Sequence, residues 1–135
     1  MDEHVFNKGA IMNAAFLQAR KLENFTCFVF HDVDMVPETD FALYRCRDSD
    51  QVGINITFNE YLHNEHLSQE MLHLAVSVSR WKYRLTYPSY LGGIVVIAPG
   101  TFLEIEGFSN KFWYWGGEDD DIYCRLTRHN VTIKR

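Results

Sequence analysis

The chain is poor in positive charge and in cysteine, and it has no long apolar run. Its 13 Lys and Arg stand against 18 Asp and Glu, a formal net charge of −5. A nucleic-acid binder needs a basic surface, so this balance argues against that class. No stretch approaches the roughly 18 consecutive apolar residues of a membrane-crossing helix. The opening Met1-Asp2-Glu3-His4 is acidic and polar, unlike a secretory signal. There is no H-E-x-x-H pattern and no histidine cluster flanked by cysteine. His63, His66 and His73 therefore read as exposed loop histidines rather than zinc ligands. Internal repeats and low-complexity tracts are absent too.

The three cysteines are Cys27, Cys46 and Cys124. Cys27 lies in a strand-like run, and Cys46 lies beyond the acidic turn that follows it. A bridge between them staples the loop carrying Asp32 and Asp34, worth about 3 kcal/mol in a chain-entropy account. Three sequons, at Asn24, Asn55 and Asn130, lean the same way, toward a secretory compartment. That lean and the missing signal are reconciled if the sequence is a piece of a longer chain. Asn24 immediately precedes a strand expected to be buried, which argues against its glycosylation. Cys124, beside Tyr123 in an expected helix, reads as a buried apolar residue with no base to activate it.

What is present is a globular composition. The 135 residues are 47% hydrophobic and 15% aromatic, enough for one domain with a real core. Phe6 to Leu22 predicts a helix, with Ala10, Ile11, Ala14, Ala15 and Leu17 as its apolar stripe and Asn7 as its cap. Phe25 to Phe30 is an apolar, β-prone run of the kind found in a buried parallel strand, and it ends at His31-Asp32-Val33-Asp34. Residues from Asp48 to Glu70 are polar, with a weak helical stretch from Leu67 to Leu74. Leu72 to Val78 reads as the next strand, and Arg80-Trp81-Lys82-Tyr83-Arg84 as a basic, aromatic loop. Leu91 to Ala98 is another buried strand, opening with Gly92-Gly93. Pro99 to Ile105 predicts a helix with Thr101-x-x-Glu104 as a capping box. Glu118 to Thr127 predicts a helix whose first turn holds four acids, where the helix dipole favours them. Alternating strands and helices make the class α/β.

Two acidic motifs carry the chemistry. An apolar strand ending in Asp-x-Asp can hold a divalent cation against a diphosphate, because side chains at i and i+2 of an extended backbone point the same way. Asp pairs after strands also make turns and caps, so this motif alone decides little. The second is Trp115-Gly116-Gly117-Glu118-Asp119-Asp120-Asp121, four adjacent acids behind two glycines and the aromatic run Phe112 to Trp115. Like charges repel, so folding gives little reason to crowd them. Beside aromatics that stack on sugar faces, a carboxylate can act as base on a hydroxyl. Together the motifs suggest metal-dependent sugar transfer.

These residues, in this order, resemble the β-1,4-galactosyltransferase family. The matching pieces are Phe6 to Ala10, Thr26 to Asp34, Tyr44-Arg45-Cys46, Tyr90 to Gly93 and Gly107 to Asp121. The resemblance implies a GT-A-like nucleotide-sugar-binding sheet flanked by helices, incomplete at both ends. It also implies one partial catalytic domain over residues 1–135, with an inserted loop at 48–71. The implied reaction moves galactose from UDP-galactose to the 4-hydroxyl of N-acetylglucosamine or a related sugar, with inversion. Mn²⁺ is the implied cofactor, and the parent chain is implied to be a membrane-anchored protein of the Golgi lumen.

The family's roles carry over position by position. Phe6 lines the uridine pocket, and Lys8 stands where Arg is usual. Asp34 is the Mn²⁺ ligand, with Asp32 and Val33 beside the donor and Arg80 near the diphosphate. Tyr90 crowds out a 2-acetamido group, Gly93 approaches the donor through its backbone, and Trp115 is the mobile-loop tryptophan. Tyr87, Asp119 and Asp120 meet the acceptor. Asp119 is the catalytic base, with Glu118 orienting the substrates. Cys27 and Cys46 match the family's disulfide in motif and spacing. Tyr114 departs from the pattern, standing where a glycine usually separates the two tryptophans. Two alternatives stay open: a non-catalytic sugar- or nucleotide-binding remnant, and an N-acetylgalactosaminyltransferase, against which Tyr90 argues.

Overall fold

The computed structural model describes residues 5–39, 44, 46 and 70–135. In chain order its elements are α1 (Lys8–Leu22), β1 (Phe28–His31), β2 (Glu70–His73), a 3-10 turn (Ser79–Trp81), β3 (Ile94–Ile97), α2 (Pro99–Glu104), α3 (Glu118–Arg128) and β4 (Thr132–Lys134). The strands form one mixed sheet in the order β1-β3-β2-β4. β1 and β2 both run antiparallel to β3, and β2 and β4 pair in parallel. Among the described residues, no helix is long and apolar enough to cross a membrane.

Register decides which face of the sheet is the core. Phe30 pairs with Val95, which also faces His73, and Met71 pairs with Ile97. Side chains alternate along a strand, so these residues share one face. They pack with Phe16 of α1, Phe102 of α2, and Ile122 and Leu126 of α3. Aromatic rings concentrate there: Phe16 lies 4.5 Å from Phe102, and Phe30 lies 4.8 Å from Phe102. All three helices therefore cover the same face.

Several expectations are met. The Asn7 side chain caps α1 by accepting from the Ala10 N–H at 2.9 Å. All four residues of β3 are buried, as expected of a central strand. The Cys27–Cys46 bridge is formed, closing 19 positions of sequence. The acidic helix is present, with all four acids in its first turn.

Others are corrected. β1 is antiparallel rather than parallel, and it alternates: Phe30 is buried while Val29 is 36% exposed. An apolar run cannot distinguish a strand buried on both faces from one buried on a single face. β2 covers Glu70–His73, so residues 70–73 are strand rather than helix, and the strand stops before Val78 because the chain turns at Ala75. The expected helix residues 67–69 lie outside the described residues, as do His63, His66 and Asn55. Glu70 and Met71, the last residues of the segment read as an insertion, belong to this strand, and Met71 is in the core.

Thr101 does not cap α2. Pro99 sits at its first position after Ala98, placing Thr101 inside the helix. His73 is not a loop histidine but is almost fully buried. Cys124 is exposed rather than buried, on the outer side of α3. Asn24 is exposed too, so burial does not argue against its modification. The expected stripe of α1 points outward: Ile11 and Leu17 are exposed, and Gly9 and Phe16 make the buried face. Gly9 is what permits this close approach, since a Cβ there would lie 2.5 Å from the Ser109 carbonyl.

Candidate active site

Two junctions build the site. The first ties α1 to the segment leading into the acidic helix. Asn13 donates to the Phe108 carbonyl (2.7 Å) and accepts from its N–H (2.9 Å), and Asn7 donates to the Asn110 carbonyl (2.8 Å). Arg125 holds the preceding turn by donating to the carbonyls of Ile105 and Gly107, and it pairs with Asp121 at 2.7 Å. Asp121 is thus a structural acid. The second junction is the bend Leu91-Gly92-Gly93 ahead of β3. The Gly93 carbonyl accepts from the Asp32 N–H at 2.9 Å, which fixes the end of β1 against it.

Lys8 lies where the junctions meet. Its Nζ is 2.6 Å from Asp32 Oδ1 and 3.0 Å from Glu118 Oε1. One lysine at the start of α1 therefore bridges both acidic motifs. Burial works to lower its pKa, but the hydrogen bonds and charges of Asp32 and Glu118 outweigh this and raise it above the ordinary lysine value. Glu118 is buried at 8% exposure, a position tolerable for an acid only with such a partner.

Asp119, one residue on, is half-buried. Burial first, then the charges of Glu118 and Asp120, raise its pKa above that of an ordinary Asp. Its Oδ1 accepts the Asp120 N–H at 3.1 Å. Its Oδ2 and the Tyr90 hydroxyl both crowd Gly92, each 2.8 Å from where a Cβ would stand. Tyr90 is buried, and its hydroxyl is pushed well above the usual tyrosine range by burial and by the charges of Asp119, Asp32 and Asp34. Tyr87 donates to Asp120 at 3.0 Å, and burial together with that bond pushes its pKa up to about 12.

A narrow cavity is lined by Lys8, Asp32, Gly92, Gly93, Glu118 and Asp119. Asp34 does not line it. The Asp32 carbonyl accepts from the Met35 N–H at 3.1 Å, closing a turn, so Asp32 and Asp34 do not continue an extended strand with both carboxylates on one side. Asp34 instead borders a second, open cleft of about 480 Å³ with Met35, Tyr44, Ala75, Ser79 and Ile94. Gly93 and Val95 line the first cavity and their neighbour Ile94 lines the second, and among the described residues no lining residue is common to both.

The structure thus brings Lys8, Asp32, Glu118, Asp119, Tyr90 and Gly93 together, with Tyr87 and Asp120 at the rim. Val33 is fully exposed, Arg80 is exposed on the 3-10 turn, and Trp115 is 97% exposed. Phe6 is exposed as well, but its carbonyl accepts the Tyr114 N–H at 2.8 Å, linking it to the aromatic segment. Among the described residues, no group of three or more His, Cys, Asp or Glu is arranged to hold a metal ion. Gly92 and His73 were missed by sequence reasoning. The Gly-Gly pair was the signal for Gly92, and the apolar run Leu72 to Val78, read as a strand, was the signal that set His73 apart from His63 and His66.

Comparison with known proteins fits this geometry. Residues 1–47 match the family profile described as the N-terminal region of glycosyl transferase group 7. Residues 72–135 match the one described as the N-terminal domain of galactosyltransferase. Mouse (Mus musculus) β-1,4-galactosyltransferase 4 is 41% identical over 130 residues, which is 96% of this chain and 32% of that protein. Bovine (Bos taurus) β-1,4-galactosyltransferase 1 is 35% identical over 133 residues, 98% of this chain and 28% of that protein. The chain thus spans about a third of the length of the curated relatives it matches. The fold is shared with Drosophila β-1,4-galactosyltransferase 7, a mutant form of which was solved with manganese, UDP-Gal and xylobiose. The TM-score is 0.74 at 26% identity, covering 100% of this chain and 47% of that one. With both profiles falling on the two halves that meet at Lys8, the chain belongs to the β-1,4-galactosyltransferase family.

Proposed function

We propose that this chain carries the catalytic core of an inverting β-1,4-galactosyltransferase. Galactose passes from UDP-galactose to the 4-hydroxyl of N-acetylglucosamine or a related terminal sugar. The parent protein works in the Golgi lumen as a type II membrane protein. The observation that carries this reading is the convergence of Asp32, Glu118, Asp119 and Tyr90 on the Gly92-Gly93 bend, with Lys8 between the two acidic motifs.

Asp119 is the base. A carboxylate whose pKa is raised by burial takes a proton more readily than an exposed one. It removes the proton of the acceptor 4-hydroxyl as that oxygen bonds to the anomeric carbon, while the bond from that carbon to the UDP oxygen breaks on the opposite side. Glu118, held by Lys8, orients the donor. Tyr87 and Asp120, bonded to each other, receive the acceptor at the rim. Tyr90 fills the space a 2-acetamido group would need, which favours UDP-galactose over UDP-N-acetylgalactosamine. Gly93, at φ 89°, presents bare backbone to the donor, and Phe6, Val33 and Arg80 flank it. Trp115 stands free beside Gly116 and Gly117, both in the left-handed region, a geometry suited to a loop that closes on substrate.

Asp34 suits Mn²⁺ as a hard oxygen ligand exposed at an open cleft, whereas Asp32 is already engaged by Lys8. Asp34 is the residue of this chain that would hold the ion. When bound, the ion supplies charge neutralisation for the departing diphosphate.

Calorimetric titration of the chain with Mn²⁺ and UDP tests the reading. Metal-dependent UDP binding that Asp34→Ala abolishes is expected. UDP binding that ignores the metal, or none at all, favours the non-catalytic remnant instead.

A further inference from the structure

His73 belongs to none of the roles above, yet it is 1% exposed on the core face of β2. Its Nε2 lies 2.9 Å from the Gly92 carbonyl. A carbonyl only accepts, so Nε2 carries the proton. Nδ1 has no partner among the described residues, and its ring packs 5.5 Å from that of Tyr90.

The bond falls where the backbone ladder ends. The last rung between β2 and β3 pairs His73 with Val95, and the Leu74 N–H then donates to the Ile94 carbonyl at 2.9 Å. Past that point β2 turns away at Ala75. The imidazole therefore supplies the donor that strand β2 no longer can. On the other side, the Asp32 N–H holds the Gly93 carbonyl, and Arg135 donates to the Pro88 carbonyl at 2.7 Å. The segment crowded by Asp119 Oδ2 and the Tyr90 hydroxyl is thus held from beneath by side chains as well as by backbone.

We propose that His73 is a positioning residue: by donating to the Gly92 carbonyl it fixes the Tyr90–Gly93 bend against which Asp119 and the Tyr90 hydroxyl are set. This inference rests on the galactosyl-transfer reading of the site. His73 touches no reacting atom. Burial and the positive charge of Arg135 keep the ring neutral against the pull of the Gly92 bond, which preserves the tautomer this role needs. A buried imidazole with one unpartnered nitrogen is a poor choice for packing alone, where Leu or Met would do better.

The test compares the chain with His73→Gln and His73→Leu. A glutamine amide can reach the Gly92 carbonyl with the same donor, and leucine cannot. His73→Gln is expected to keep kcat within about 3-fold. His73→Leu is expected to lower kcat by roughly 10- to 100-fold, the scale of a small misplacement of reacting groups. Asp119 gives a readout independent of turnover: its carboxyl midpoint, followed by carbon NMR, moves down toward the ordinary Asp value in His73→Leu and stays in place in His73→Gln. Equal behaviour of the two variants in both readouts overturns the proposal. If the unsubstituted chain transfers no galactose, the catalytic reading fails, and the Asp119 titration still decides the role of His73. If His73→Leu does not fold, nitrogen NMR of the unsubstituted ring decides. A neutral Nε2–H form at neutral pH supports the proposal, and an Nδ1–H or charged form there refutes it.

Discussion

Replacing Lys8 with Met is the most direct probe of how the site is assembled. The substitution keeps the stem of the side chain and removes a charge lying 2.6 Å from Asp32 and 3.0 Å from Glu118. At an effective dielectric of about 20, each contact is a Coulomb attraction of roughly 5–6 kcal/mol before desolvation is subtracted. Desolvation offsets most of that. Breaking a fully buried pair costs about 3–5 kcal/mol, and an exposed one under about 1. The side chains of Lys8 and Asp32 are 24% and 25% exposed and that of Glu118 is 10%, so the triad falls between those limits. Lys8→Met should therefore destabilise the chain by about 2 kcal/mol in urea unfolding at neutral pH.

A double-mutant cycle with Glu118→Gln isolates the pair and should give a coupling of about 1 kcal/mol. Because the folded pKa of Lys8 is raised, the stability it contributes is complete below the ordinary lysine value of 10.5 and is lost as pH rises through the folded pKa. The gap between Lys8→Met and the unsubstituted chain should be flat through neutral pH and narrow above that value. A coupling below about 0.3 kcal/mol, or a gap unchanged at high pH, refutes the claim that Lys8 links the two motifs.

Asp119→Asn should spare UDP binding, abolish transfer and raise stability at neutral pH. The folded carboxyl holds its proton more tightly than the unfolded one, so its charge costs stability above the folded pKa; the gain should fade as pH falls toward 3.8, as thermal melts across pH would show. For the same reason, transfer by the unsubstituted protein should decline as pH falls through the raised Asp119 pKa, read from a pH–rate profile. Replacing Cys27 and Cys46 by Ser opens a loop of 19 positions and should cost about 3 kcal/mol in urea unfolding. Tyr114 has φ 69°, a conformation that strains any side chain, so Tyr114→Gly should stabilise by about 1 kcal/mol in the same assay.

The parts legible in the sequence were those set by local chemistry. Asn7 before an Ala- and Leu-rich run announced α1, and acids after Gly116-Gly117 announced α3, because caps and helix dipoles act within a single turn. The Cys27–Cys46 pairing was legible from motif and spacing. What failed depended on partners distant in sequence. An apolar run such as Phe25 to Phe30 carries no mark of strand direction, so β1 was misread as parallel. The outward stripe of α1 followed from Gly9, whose missing side chain lets Ser109 approach on the opposite side. His73 was grouped with the other histidines although it fell in an apolar run, and its bond to Gly92 spans 19 positions. At the site, Lys8, Asp32, Glu118 and Asp119 were all named from sequence, but the clasp between them was not, and neither was the Asp32–Met35 turn that sends Asp34 into a different cleft.

The parallel pairing of β2 with β4 bears on how the protein acquires its shape during synthesis. Glu70, Met71 and Leu72 must wait for Thr132, Ile133 and Lys134 to emerge from the ribosome. Until then the nascent polypeptide carries both carboxylate motifs on an unfinished platform with an open strand edge, the state most exposed to mispairing. Such distant pairing also makes for slow acquisition of the native topology. Until β4 is made, β2 has only its antiparallel neighbour β3 to pair with, and one side of the four-stranded sheet stays open.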